Sequence, residues 1–406
     1  MSLVQKIAHN TLFQLIARIA TSGSSFLITI LIARHFGIIA YGDFAKVTAY
    51  VSLFYLFADF GLNAIFLQKE NNILKFKDLF YTRVILATLL ILAINVLAWF
   101  LPYNPTTHIG FSPEVRNGIS LFSFTLITEA LTYTALALFQ RDLSYEYFMI
   151  ASIIGSLATL LFVFIATLFP YSLVFVFLAY ILGGVVKSAL ALFFTKENMF
   201  PFQLDTHFIK QLTFETLPIT LMLVCNLIYF RIDMIILSAL KPSTDVALYD
   251  MSYKFFDFFI ALPLFLSNAL YPSLLQQQNK QELEKHIYKY MSIFALLSLF
   301  VMIPVMLFAP LIGLIKHDFI GASVPLRILT LSLPLFFVTS ILQWVLVAKK
   351  QQMFLAGVYS LVAIINIILN LIFIPQASYT ASAIITGISE ALVLGALFVR
   401  IQTIKK

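Results

Sequence analysis

The sequence predicts an all-α integral membrane protein of about twelve transmembrane helices, on three observations. Hydrophobic residues make up 61% of its 406 positions and charged residues 11%, whereas a soluble domain carries about 25% charged residues. The apolar runs are long enough to be spans, each of which needs about 20 residues. The connections between them are too short to fold as separate domains. A membrane β-barrel would instead show segments of about 10 residues alternating in polarity, and the sequence has none.

Twelve apolar runs follow in order. Span one, 11–33, carries Arg18. It is too long for a leader and lacks a small-residue cleavage site, so it reads as a retained span. Span two, 43–67, carries Asp43, Lys46 and Asp59. Spans three to six run 79–101, 117–139 with Glu129, 146–169, and 172–194 with Lys187 and the Gly183-Gly184 pair. Span seven, 215–240, holds the lone Cys225, which reads as a small core residue, and then Arg231 and Asp233. Span eight, 245–275, carries Asp250, Lys254 and Asp257. Spans nine to twelve run 287–310, 322–348, 351–374, and 379–400 with Glu390. Pro218, Pro263, Pro304 and Pro334 fall inside spans, as breakers do in transporters.

The most polar segment, "TKENMFPFQLDTHFIKQLTFETLP", divides the chain into six-span halves, 1–200 and 201–406. The halves repeat weakly. "ARHFGIIAYGDFAKV" (33–47) and "ALKPSTDVALYDMSYKF" (239–255) each give a short loop, a Tyr (Tyr41, Tyr249), then Asp43 with Lys46 or Asp250 with Lys254. Six spans per half give a parallel repeat, which places a site between the halves near midplane. Counted by side, sixteen Lys and Arg lie with the termini and even-numbered connections, and five lie opposite. Positive charge accumulates on the cytoplasmic side, so both termini are expected there. Orientation thus uses much of the +7 net charge. No nucleic acid is called for, and attraction to anionic membrane lipids is secondary.

The sequence has no GxxxxGK[ST] phosphate loop, no HExxH and no Cys/His cluster of metal-ligand spacing. No cofactor, metal or catalytic residue is expected, and the chain does not read as an enzyme. The six histidines lie mostly in loops or at span ends. Charge inside the spans carries the argument, at about 2.5–3.5 kcal/mol for each charge at the bilayer centre. Arg231 and Asp233 are two residues apart and do not share a helix face, so they cannot simply neutralise each other. Asp250, Lys254 and Asp257 lie on one face and are expected to pair along it, or to serve a ligand. Asp43 and Lys46 can pair similarly. Arg18 has no acid one turn away and needs a partner elsewhere or a ligand; Arg suits phosphate because its planar fork donates two parallel hydrogen bonds. Lys187 reads as a residue that snorkels to the interface. Glu129 and Glu390 read either as proton-coupling carboxylates or as neutral, hydrogen-bonded links between helices.

"RHFGIIAYGDF" followed by "LFADFGLN" (56–63) resembles the N-terminal pattern of polysaccharide flippases of the O-antigen transporter type. There, Arg-x-x-Gly-x-x-x-Tyr-Gly ends span one and Asp-x-Gly-Leu ends span two. "FRIDMIILSALKPSTDVALYD" resembles that family's seventh span, and "NLIFIPQASYTASAIITGISEAL" (370–392) the junction before its last. The resemblance spans the whole chain in order and extends to the multidrug/oligosaccharidyl-lipid/polysaccharide exporter superfamily. The chain departs from it at Thr380-Ala381-Ser382-Ala383, where a Gly-Ala-Ala element is usual, and at 241–245, which lacks the usual Gly.

The resemblance implies a MATE-like, V-shaped pair of six-helix lobes in the cytoplasmic (inner) membrane. It implies alternating-access flipping of a polyprenyl-pyrophosphate-linked oligosaccharide for cell-surface polysaccharide assembly. Polysaccharide polymerase and chain-length machinery would be further partners. Arg18, Lys46, Arg231 and Lys254 are the candidate cavity and phosphate residues. Asp59, Glu129, Asp233, Asp250, Asp257 and Glu390 are the candidate coupling or helix-pairing carboxylates, with H⁺ or Na⁺ as counter-ion. The alternatives are a cation-coupled multidrug antiporter of the same superfamily and, from another class, a membrane glycan polymerase or ligase.

Overall fold

The first element is a helix of 57 residues, α1 (Leu3–Asp59), broken at Gly37, whose φ of 83° and ψ of −179° lie outside the helical range. Only glycine adopts that region without strain. The bend therefore falls at the Gly of the Arg-x-x-Gly motif and separates the first two predicted spans. A second glycine, Gly61, at φ 67°, turns the chain from α1 into the short α2 (Leu62–Gln68). This is the Gly of Asp-x-Gly-Leu. The computed structural model describes residues 3–59, 61–68, 76–169, 172–197, 229–276 and 280–405. The predicted 195–214 connection, Pro218, Cys225 and the start of span seven fall wholly or mostly outside them.

α3 (Phe76–Trp99) buries Phe76, Leu79, Arg83, Ala87, Ile91, Ile94 and Ala98 along one face. Its other face exposes Leu89, Leu92, Val96 and Trp99. A helix apolar on both faces belongs in lipid or in a large core, and here the exposed face is the lipid-like one. A short hairpin, β1 (Tyr103–Asn104) and β2 (Ile109–Gly110), follows. α4 (Pro113–Phe122) starts where Ser112 Oγ accepts the Val115 N–H at 3.3 Å, with Pro113 in the first turn, a favourable N-terminal sequence. It breaks at Ser123–Phe124 into α5 (Thr125–Arg141), and α6 (Tyr145–Leu168) and α7 (Leu173–Thr195) complete the first set.

The second set begins with α8 (229–240), then α9 (Ser243–Gln276) and α10 (Lys280–Phe308). Two 3₁₀ turns lead to α11 (Ser323–Leu331) and α12 (Leu333–Ala348), which are bent by 41° at Ser332. Pro334 in the first turn of α12 lacks the N–H that would continue the ladder. α13 (Gln352–Lys405) is a 54-residue helix broken at Ser378 (φ 49°), separating the last two predicted spans. Among the described residues, seven helices are long and apolar enough to cross a membrane, or eight with the bent pair. The chain is thus a multi-pass, almost wholly helical membrane protein.

Two compact units result, one of 1–104 with 111–224 and one of 105–110 with 225–406. In the first, α1, α5, α6 and α7 pack together, with α3 against α5; in the second, α12 packs on α9, α10 and α13.

Candidate functional site

In the second unit the opening of α8 carries Arg231 and Asp233, and each takes its own partner. Arg231 Nη2 lies 2.9 Å from Asp257 Oδ2 on α9, and the guanidinium lies over the Tyr253 ring at 5.1 Å. The two charged side chains are 37% and 39% exposed. The pair is therefore reachable from one side and is not sealed in the packed interior. Asp233 points to the other side and is 4% exposed. It accepts hydrogen bonds from the Tyr249 hydroxyl and from the Met234 N–H at 2.7 Å. The two-residue spacing thus sends the charges to different neighbours. The expected pairing along the Asp250–Lys254–Asp257 face differs at Asp257, which pairs across to Arg231 on α8, where the planar guanidinium also lies over Tyr253. Asp250 is buried and Lys254 half-buried.

Deeper in the same unit, Glu390 on α13 is 2% exposed and accepts the Tyr229 hydroxyl at 2.6 Å. Asn366 donates to Ser389 Oγ at 2.9 Å, and Asn370 donates to Asn366 Oδ1 at 2.8 Å. A void of about 10 Å³ lies among Asp233, Tyr229, Asn366, Thr386 and Ser389, the size of one water or one ion. Sequence reasoning missed Tyr229, Asn366 and Asn370. The signal was present, since two Asn four residues apart in an apolar run share one helix face.

The repeat recognised at 33–47 and 239–255 has a structural counterpart at its Tyr: Tyr41 and Tyr249 are both fully buried. Its Lys differs, because Lys46 is fully buried while Lys254 is not. Arg18 sits on the exposed side of α1.

The first unit holds two further polar clusters. At the end of α1, Asp59 Oδ1 receives Arg83 Nη2 at 2.7 Å, and Asn63 Oδ1 receives the same nitrogen at 2.6 Å. Arg83 is 0% exposed, and its Nε and Nη1 have no hydrogen-bond partner among the described residues. Arg83 lies inside predicted span three, and α3 buries it. In the second cluster, Lys187 Nζ on α7 reaches both carboxylate oxygens of Glu129 on α5, at 3.0 and 3.2 Å. Lys187 therefore does not snorkel to the interface: a carboxylate lies within reach on the adjacent helix. Both residues line a cavity of about 290 Å³ bounded by α1, α5, α6 and α7. Gly155, Gly183 and Gly184 let those helices close, since a Cβ at each would overlap Lys187, Thr159 and Thr128 respectively. Among the described residues, no group of His, Cys, Asp and Glu is arranged to hold a metal ion.

Residues 7–273 match the family model described as polysaccharide biosynthesis protein, and residues 218–372 match the MatE model. Solved structures share the fold. One is the lipid II flippase MurJ in its inward closed conformation, at TM-score 0.79 and 17% identity, covering 97% of this chain and 87% of that one. Another is an inward-facing multidrug resistance MATE family transporter of the MOP superfamily, at 0.71 and 15%, covering 95% of each. A third is the Vibrio cholerae MATE transporter VcmN, at 0.60 and 14%, covering 99% and 98%. No curated protein sequence matches the chain. The family match covers well over half the sequence, and the chain belongs to the polysaccharide biosynthesis protein family.

Proposed function

We propose that the chain flips polyprenyl-pyrophosphate-linked oligosaccharide repeat units across the cytoplasmic membrane by alternating access, for cell-surface polysaccharide assembly. The observation that carries this reading is the Arg231–Asp257 pair. It is a cation inside an apolar helix, held by an exposed carboxylate and backed by an aromatic face. A pyrophosphate can replace Asp257 on the guanidinium, because bidentate phosphate is the partner its fork fits best. Lys254, Lys46 and Arg18 would be further anion-binding candidates. Twelve spans in lobes 1–200 and 201–406, with both termini cytoplasmic, complete the proposal. A polymerase and chain-length machinery would consume the product.

The Asp233 void supports a counter-ion role for H⁺ or Na⁺, since its lining offers carboxylate, amide and hydroxyl oxygens to one small occupant. Asp59, Glu129, Asp250, Asp257 and Glu390 would act in coupling or in helix pairing. That same void, most of whose lining falls in the stretch matched by the MatE model, supports the second reading, a cation-coupled multidrug antiporter.

Mass spectrometry of lipids that co-purify with the protein tests the choice. A polyprenyl-pyrophosphate glycan enriched on the wild type and lost from Arg18→Ala/Arg231→Ala is the expected result. Wild-type glycan export by both single variants at equal abundance overturns it. Dye efflux abolished by one carboxylate substitution would favour the antiporter.

A further inference from the structure

The cavity of the first unit has a chemistry of its own. Eight Ser and Thr side chains line it, together with Tyr55 and Tyr180. Several of these hydroxyls have already committed their proton to their own helix. Thr21 donates to Ala17 O at 2.8 Å, Thr128 to Thr125 O at 2.9 Å, Ser156 to Ile153 O at 3.0 Å and Thr159 to Gly155 O at 2.9 Å. A hydroxyl used in this way keeps its lone pairs. The wall therefore accepts more readily than it donates, and it suits an occupant with many O–H donors. Ser152 adds the complement. It is 3% exposed, and its Oγ has no partner among the described residues, so it can both give and take a hydrogen bond. A buried polar atom left unpaired costs about 1–3 kcal/mol, and a ligand in the cavity would remove that cost.

Charge narrows the class. Glu129 is neutralised by Lys187 through both carboxylate oxygens. A cation would have to displace Lys187, and an anion would have to displace Glu129. A neutral polyol displaces neither and can use the remaining lone pairs of the carboxylate and the third ammonium proton. Volume narrows it further. About 290 Å³ stands near the lower end of the roughly 300–1,000 Å³ typical of small-molecule sites, enough to hold one sugar ring.

We propose that this cavity, walled by Thr21, Tyr55, Thr128, Ser152, Thr159 and the Glu129–Lys187 pair, is a binding subsite for a single neutral pyranose. The proposal takes its ligand class from the glycan-flipping reading, and its site is separate from Arg231.

The test is saturation-transfer NMR on the full-length protein in nanodiscs, with methyl glucopyranoside and methyl N-acetylglucosaminide as probes and sorbitol and NaCl as competitors. The wild type is expected to bind at least one glycoside, with Ser152→Ala weakening binding about threefold to tenfold, as for one hydrogen bond lost. Ser156→Trp, which fills the cavity from a half-buried position, is expected to abolish the signal. Co-purification of the lipid-linked glycan is measured on the same preparations. No glycoside signal with the lipid-linked glycan still bound overturns the subsite and leaves the flippase reading standing. Glycoside binding insensitive to both Ser152→Ala and Ser156→Trp also overturns it. Loss of signal to NaCl without competition by the second glycoside identifies a cation site and overturns it. Absence of both glycoside and lipid-linked glycan overturns both readings.

Discussion

Removing Asp59 is expected to harm the protein more than removing Arg83, although the two form one ion pair. Arg83 is 0% exposed, and a single nitrogen, Nη2, makes both of its hydrogen bonds, at 2.7 Å to Asp59 and 2.6 Å to Asn63. Its Nε and Nη1 have none among the described residues. Asp59→Leu leaves a buried cation with one neutral acceptor. Breaking a buried pair in this way costs about 3–5 kcal/mol. Arg83→Met keeps the apolar stem and removes two unpartnered donors together with the charge. The carboxylate left behind is 27% exposed and regains part of its solvation, while Asn63 loses a donor. The net cost expected is about 1–2 kcal/mol. The double variant Asp59→Leu/Arg83→Met leaves no buried charge, and such replacements are often neutral or stabilising. It should therefore recover about 2 kcal/mol or more relative to Asp59→Leu alone, a coupling typical of residues in direct contact. Thermal denaturation of the purified variants in one detergent reads the order directly. If Arg83→Met melts at or below Asp59→Leu, or if the double variant is the sum of the singles, the reasoning from burial asymmetry is wrong.

The two motif glycines should respond unequally to alanine. Gly61 at φ 67° lies in the left-handed region, at about 1–2 kcal/mol. Gly37, at φ 83° and ψ −179°, lies where strain reaches up to about 3 kcal/mol, so Gly37→Ala should melt lower than Gly61→Ala. Gly183→Ala places a Cβ 2.8 Å from Thr159 Cα, forcing α6 from α7 at about 1–3 kcal/mol. Gly23 has nothing within 4 Å, and Gly23→Ala should gain about 0.5–1 kcal/mol; equal melting temperatures for these two would contradict the packing. Tyr249→Phe leaves the buried Asp233 with the Met234 N–H alone and should cost about 1–3 kcal/mol. Tyr253→Phe, which loses one 3.2 Å bond to Phe230 O, should cost less, as chemical denaturation would show.

Composition and run length determined that this chain is a helical membrane protein, because apolar surface on this scale has no soluble solution. The divergence of Arg231 and Asp233 was legible too, since two residues of separation fix an angle on any helix. The motif glycines entered through the family resemblance alone, and that Gly37 and Gly61 turn the chain is what the structure adds. Partners were not legible. Lys187 meets Glu129 fifty-eight positions away, and Arg83 meets Asp59 across a turn. Asp257 turns from its own helix to Arg231, because distance through space, not along the chain, sets the strength of an ion pair. The hydroxyl-lined cavity was invisible for a related reason. Ser and Thr spread over four apolar helices do not reveal in sequence that they face one another, and the close packing allowed by Gly155, Gly183 and Gly184 gathers them into one wall.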